Sequence, residues 1–87
     1  MATVVLPRSL VALFPGAARQ YQIDASTVRE LIERLDEQVP GLRNRVVDAG
    51  PSIREHLNVF VAGERASIDS PVPSGSTVHI IPAVSGG

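Results

Sequence analysis

The last four residues, Val84-Ser85-Gly86-Gly87, follow directly on a strand-like run, Thr77-Val78-His79-Ile80-Ile81-Pro82. Glycine loses more backbone entropy on ordering than any other residue and brings no side chain to pack. Two glycines in succession at a terminus arise by chance in roughly 0.5% of chains. What they offer is access. Without a Cβ, the backbone can thread a narrow channel and present its carboxylate to another protein. Gly87 is therefore the expected reactive group, which puts the chemistry on the main chain. A carboxylate is a poor electrophile, protected by resonance and negative charge, so it needs conversion to a mixed anhydride. A partner would supply the cationic groups that stabilise the developing charge. Val84 to Gly87 span roughly 13 Å when extended, enough to carry the terminus into a partner's pocket.

The side chains offer less. His56 and His79 stand without cysteine partners and lack metal-ligand spacing, so no metal site is expected. Asp69, Ser74, Ser76 and His79 include the residue types of a hydrolytic triad, but no nucleophile-elbow context accompanies them. Self-contained catalysis is not expected. Arg43, Arg45 and Arg54 read as solvated charges in preference to a basic patch for an acidic partner.

These groups need a scaffold, and the pattern supplies one. Ala2 to Pro7 is β-rich and alternating, and Gln20 to Asp24 alternates with Tyr21 and Ile23 on one face, so the two predict a hairpin with a long connection. Thr27-Val28-Arg29-Glu30 is a capping box. Val28, Leu31, Ile32, Leu35 and Val39 follow at helical spacing, until Pro40-Gly41 ends the helix. Leu42 to Val47 reads as a short helical turn. Leu57 to Val61 is a strand, Ala62-Gly63 a tight turn and Glu64 to Ile68 a return strand. Thr77 to Pro82 is the last strand. The prediction is an α+β roll, with a mixed sheet of four to five strands and one main helix across one face. One domain over residues 1–83 is expected, with 84–87 as a flexible tail. Leu57, Val59 and Val61 would face inward with Val4, Leu6, Tyr21, Ile23, Val78 and Ile80. Asn58, Phe60, His79 and Ile81 would then face outward and form an apolar docking patch beside the tail.

The order of elements, with Thr27-Val28 opening the helix, Asn58-Val59-Phe60-Val61-Ala62-Gly63 as strand and turn, and Ile81-Pro82-Ala83-Val84-Ser85-Gly86-Gly87 as the end, resembles the MoaD/ThiS family. These are ubiquitin-like, β-grasp sulfur carriers, and the pattern runs over essentially the whole chain. The ending resembles CysO-type carriers in particular, which supply sulfur for cysteine synthesis. The resemblance implies a carrier acted on by enzymes, not an enzyme. A ubiquitin-activating-like adenylyltransferase and sulfurtransferase would use ATP to adenylate the Gly87 carboxylate, threading Val84, Ser85 and Gly86 through its active site. A sulfur donor would then displace AMP and leave a thiocarboxylate. A downstream enzyme, cysteine synthase-like or the large subunit of molybdopterin synthase, would consume it. The alternatives are the small subunit of molybdopterin synthase and a ubiquitin-like protein modifier. No cofactor is expected on the chain itself.

Composition bounds these readings. The chain has 87 residues, 44% of them apolar and 20% charged, which are ordinary globular values. With no cysteine there is no disulfide, thiolate site or thiol nucleophile, as expected of a cytoplasmic protein. The sequence has no apolar run near membrane-spanning length and no signal-peptide layout at its start. A net charge of −1 gives no general attraction to nucleic acid. All eight basic residues are arginine, so the chain cannot be built into isopeptide-linked chains of itself.

Overall fold

The computed structural model describes residues 1–83. In chain order these form β1 (Ala2–Val5), α1 (Arg8–Val11), β2 (Gln20–Ile23), α2 (Val28–Gln38), α3 (Leu42–Val46), β3 (Leu57–Val61), β4 (Glu64–Ala66) and β5 (Thr77–Pro82). One mixed sheet holds all five strands in the order β2-β1-β5-β3-β4. β5 runs parallel to β1 and antiparallel to β3, so the last strand lies in the middle of the sheet. The two hairpins, β1–β2 and β3–β4, flank it on either side.

Strand alternation divides the sheet into two faces. Val4, Ile23, Leu57, Val59, Val61, Val78 and Ile80 are buried on one of them, and Leu6 joins them just past β1. Tyr21 is only half-buried, because its hydroxyl turns back to accept the Ala18 N–H at 2.9 Å. α2 covers this face with Val28, Leu31, Ile32 and Leu35, and Val39 follows at its C-terminal end. Leu31 and Leu35 are fully buried, and each such side chain contributes roughly 1.5–3 kcal/mol of hydrophobic stabilisation.

The N-terminus of α2 is secured as a capping box shifted by one residue. Thr27 Oγ1 accepts the Glu30 N–H at 3.2 Å, but the Glu30 carboxylate accepts from the Ser26 N–H at 2.7 Å, not from Thr27. Val28 and Arg29 donate their N–H groups to the carbonyls of Ser70 and Ile68. The Arg29 guanidinium reaches Asp69 at 2.8 Å, so the segment after β4 is fastened to the start of the helix. At the other end, Asp36 Oδ1 accepts from the Gly41 N–H at 3.1 Å and the Arg43 N–H at 2.9 Å. That carboxylate caps α3 from α2, and so fixes the short helix that carries Arg43 and Arg45.

Two expected boundaries move. The first strand ends at Val5, not Pro7, because Pro7 is the N-cap of α1 and its carbonyl accepts from the Leu10 and Val11 N–H groups. The connection to β2 therefore contains a helical turn that buries Leu10. The return strand β4 stops at Ala66, short of Ile68. Ser67 donates its N–H to Ser70 Oγ, which turns the chain out of the ladder. Ile68 is buried all the same. The turn between β3 and β4 has φ values of 51° at Ala62 and 83° at Gly63, the left-handed pair of a type I′ hairpin.

Two outcomes test this reading of the scaffold. Thr27→Ala removes the cap from α2 and lowers stability by about 1 kcal/mol, seen as a melting temperature about 4–8 °C lower. Ala62→Gly relieves the left-handed alanine and raises stability by about 0.5–1 kcal/mol in urea unfolding, with the m-value unchanged.

Candidate functional site

The site is built outward from β5. Its C-terminal residue, Pro82, pairs with Leu57 at the start of β3, and the next residue, Ala83, donates its N–H to the His56 carbonyl at 2.8 Å. Proline fixes its own φ, and the flanking hydrogen bonds hold the chain on the sheet up to Ala83. The exit of the chain is thus held against the His56 end of β3. Gly87 and the expected tail residues Val84, Ser85 and Gly86 lie outside the described residues.

The four expected docking residues share the outward face. Asn58 stands opposite Ile81 and Phe60 opposite His79, so they form two successive rungs on the paired strands β3 and β5. Ile81 is 39% exposed and His79 is exposed, whereas Phe60 and Asn58 are half-buried by their neighbours. The lower rung extends across the whole sheet. From His79 it continues through Val5 to Gln20, and from Phe60 it continues to Arg65. The geometry therefore joins Phe60 and Ile81 into an apolar centre, flanked by polar side chains and one arginine, directly beside the chain exit.

Arg65 was not among the expected residues. Its signal in the sequence was the Ala62-Gly63 turn, which fixes the hairpin register and so puts Arg65 opposite Phe60. A second group lies around the exit, and it brings together Arg45 and Arg54, which the sequence set beside Arg43 and read as solvated charges. Gly41, Asn44, Arg45, Arg54 and His56 line an open cleft of about 470 Å³. Arg45 and His56 are exposed there, and Arg54 is half-buried with its Nε–H donated to the Asn44 carbonyl at 3.0 Å. Residues 47 to 56 loop from the helix layer to the sheet, and that loop brings these side chains together.

The hydrolytic residue types do not converge. Asp69 is engaged by Arg29, Ser76 Oγ donates to the Pro73 carbonyl at 2.6 Å, and Ser74 Oγ accepts from the amino group of Met1. His79 projects from the sheet's outward face. Among the described residues, no group of three or more histidine and acidic side chains could hold a metal ion. No helix among them is long and apolar enough to cross a membrane.

Comparison with known proteins agrees with this architecture. The chain matches the model of the ThiS family over residues 12–87. No curated protein matches it. Among solved structures, it is similar to a chain of the BexX/CysO complex of Amycolatopsis orientalis, at 26% identity and a TM-score of 0.86, with both chains covered completely. The small archaeal modifier protein 1 of Haloferax volcanii is 26% identical with a TM-score of 0.78, covering 95% of this chain and 97% of that one. CysO of Mycobacterium tuberculosis shares the fold at 23% identity and a TM-score of 0.86, covering 97% and 100%. A family model that spans most of the sequence, on a five-stranded β-grasp sheet crossed by α2, leads to one assignment: the chain belongs to the ThiS family of ubiquitin-like carriers and modifiers.

Proposed function

We propose that this protein carries sulfur on its C-terminal carboxylate for a biosynthetic pathway, with cysteine as the end product. The observation that carries the reading is the extent of the family match. It runs through residue 87, so the diglycine falls inside the family pattern and not beyond it. Similarity to a chain of a BexX/CysO complex supports a partner enzyme and the CysO-type assignment.

The chemistry has two steps. A ubiquitin-activating-like enzyme uses ATP: a Gly87 carboxylate oxygen attacks the α-phosphorus, pyrophosphate leaves and an acyl adenylate forms. A donor at the oxidation level of sulfide then attacks the acyl carbon and AMP departs, leaving the thiocarboxylate. A cysteine synthase-like enzyme takes that sulfur. Phe60, Ile81, Asn58 and His79 dock on the activating enzyme while Val84, Ser85 and Gly86 enter its active site. The exit at Ala83, bonded to His56, aims the tail, and the docking face beside it sets how far the terminus reaches. A cytoplasmic setting supplies the ATP.

Similarity to a small archaeal modifier protein, at the same 26% identity as the BexX/CysO chain, favours a second reading. In it Gly87 is joined to an amine of a target protein. The same activated terminus serves both readings, and the acceptor distinguishes them.

Incubation with the activating enzyme, ATP and sulfide should add the mass of one sulfur for oxygen exchange, localised to Gly87 by fragmentation. An unchanged mass under conditions that activate a known carrier refutes the reading. Adducts on other proteins that survive reductant and hydroxylamine would favour the modifier instead. Phe60→Ala should lower kcat/KM for activation about 30-fold, as for the loss of about 2 kcal/mol at the centre of an interface, with an unaltered circular dichroism spectrum.

A further inference from the structure

The outward positions of the five strands carry no carboxylate. They are Thr3 and Val5 on β1, Gln20 and Gln22 on β2, Asn58 and Phe60 on β3, Arg65 on β4, and Thr77, His79 and Ile81 on β5. The charges elsewhere are arranged differently. α2 bears Glu30, Glu33, Asp36 and Glu37 on the far side of the sheet, and both ion pairs among the described residues involve it, Arg29–Asp69 and Arg34–Glu30. A chain with a net charge of −1 thus keeps its acidic groups off one face.

At the edge of that face, where the chain leaves β5, is the cleft lined by Arg45, Arg54 and His56. Its arginines are presented, not neutralised. Arg54 makes one side-chain hydrogen bond, from Nε to the Asn44 carbonyl, and Arg45 makes none among the described residues. The sequence-adjacent carboxylates, Asp48 and Glu55, form no ion pair with either arginine. Arg65 is likewise without an acidic partner among the described residues, at the other end of the rung that contains Phe60. Desolvated arginine is costly at an interface unless a carboxylate meets it, and arginine offers a fork that two carboxylate oxygens can fill.

We propose that Arg45, Arg54 and Arg65 receive an acidic surface on the activating enzyme, with carboxylates of that enzyme seated in the cleft beside Ala83 and over the rim of the Phe60 patch. This deepens the preceding reading and rests on it. The apolar centre supplies contact area, and the arginines on either side set orientation, so that the chain exit meets the enzyme's active-site entrance. Placement beside Ala83 matters because a carboxylate bound in the cleft lies next to the first residue of the threaded tail.

The experiment measures ATP–pyrophosphate exchange by the activating enzyme as a function of carrier concentration. Arg45→Glu/Arg54→Glu should raise KM about 10-fold or more at low salt, with kcat within about twofold of wild type. Arg45→Glu/Arg65→Glu, which removes no side-chain hydrogen bond among the described residues, should do the same and covers the case where the first variant misfolds. Wild-type KM should rise between low and high sodium chloride, and the variants' KM should not. Arg29→Glu/Arg34→Glu makes the same change in net charge on α2, on the far side of the sheet from the outward face, and its KM should stay within about twofold. A KM unchanged in both cleft variants, or a loss confined to kcat, overturns the proposal while wild-type exchange leaves the sulfur-carrier reading intact. If wild-type exchange is itself absent, that reading fails, and the cleft is judged by titrating hexaglutamate into the ¹⁵N-labelled chain. Amide shifts centred on residues 44–56 and Arg65 support it. Shifts elsewhere or none, or a cleft that binds hexaglutamate only after residues 84–87 are removed, overturn it, the last by showing that the chain's own end occupies the site.

Discussion

The constraint on which the architecture depends is the hydrogen bonding of β5 on both edges. A strand paired on one edge can slide or fray. β5 is held by a parallel ladder to β1 and an antiparallel ladder to β3, with Val78 and Ile80 fully or almost fully buried between them. A shift of one residue would turn both of those side chains to solvent and bring His79 and Ile81 into the core. Register is therefore fixed by burial. The same register decides where Ala83 emerges and which side chains flank it.

That constraint also explains why the site is divided. The outward face cannot be made wholly apolar without inviting association, nor wholly polar without losing contact area for a partner. The solution here is a small apolar centre of Phe60 and Ile81, each set opposite a polar residue, Asn58 or His79. Thr3 and Gln22, bonded to each other at 2.8 Å across β1 and β2, keep the far part of the face polar. The part of the sheet nearest the chain exit is the part suited to contact.

Much of this was legible in the sequence, for identifiable reasons. The strands Leu57–Val61 and Thr77–Pro82 have the boundaries their alternation implied, because each is buried on one face and wet on the other. The stripe Val28, Leu31, Ile32, Leu35 and Val39 is buried as its spacing required. α1 was hidden because four residues with one buried leucine give no periodicity. The shifted capping contact of Glu30 was hidden because the choice between Ser26 and Thr27 depends on the entry angle of the chain, set by Ser70 and Ile68 far along the sequence. The sequence set Arg45 and Arg54 beside Arg43 only as the lesser reading, and it did not bring His56 to them. Their meeting depends on a loop of irregular backbone, where neither period applies, and the arginines read locally as solvated surface.

The absence of lysine bears on how such a carrier survives activation. An acyl adenylate is attacked by any neutral amine within reach, and a lysine near the exit would compete with the sulfur donor. The chain carries its positive charge on eight arginines, whose guanidinium groups stay protonated and are not nucleophiles. On the proposed reading, it holds the cations Arg45 and Arg54 near the chain exit at Ala83 with no side-chain amine of its own to be acylated. Arginine also suits the bidentate contacts that orient a partner's carboxylates. On the proposed reading, charge for docking and chemical inertness toward the activated end both follow from using arginine and not lysine. Replacing either cleft arginine by lysine would retain the attraction and forfeit the inertness.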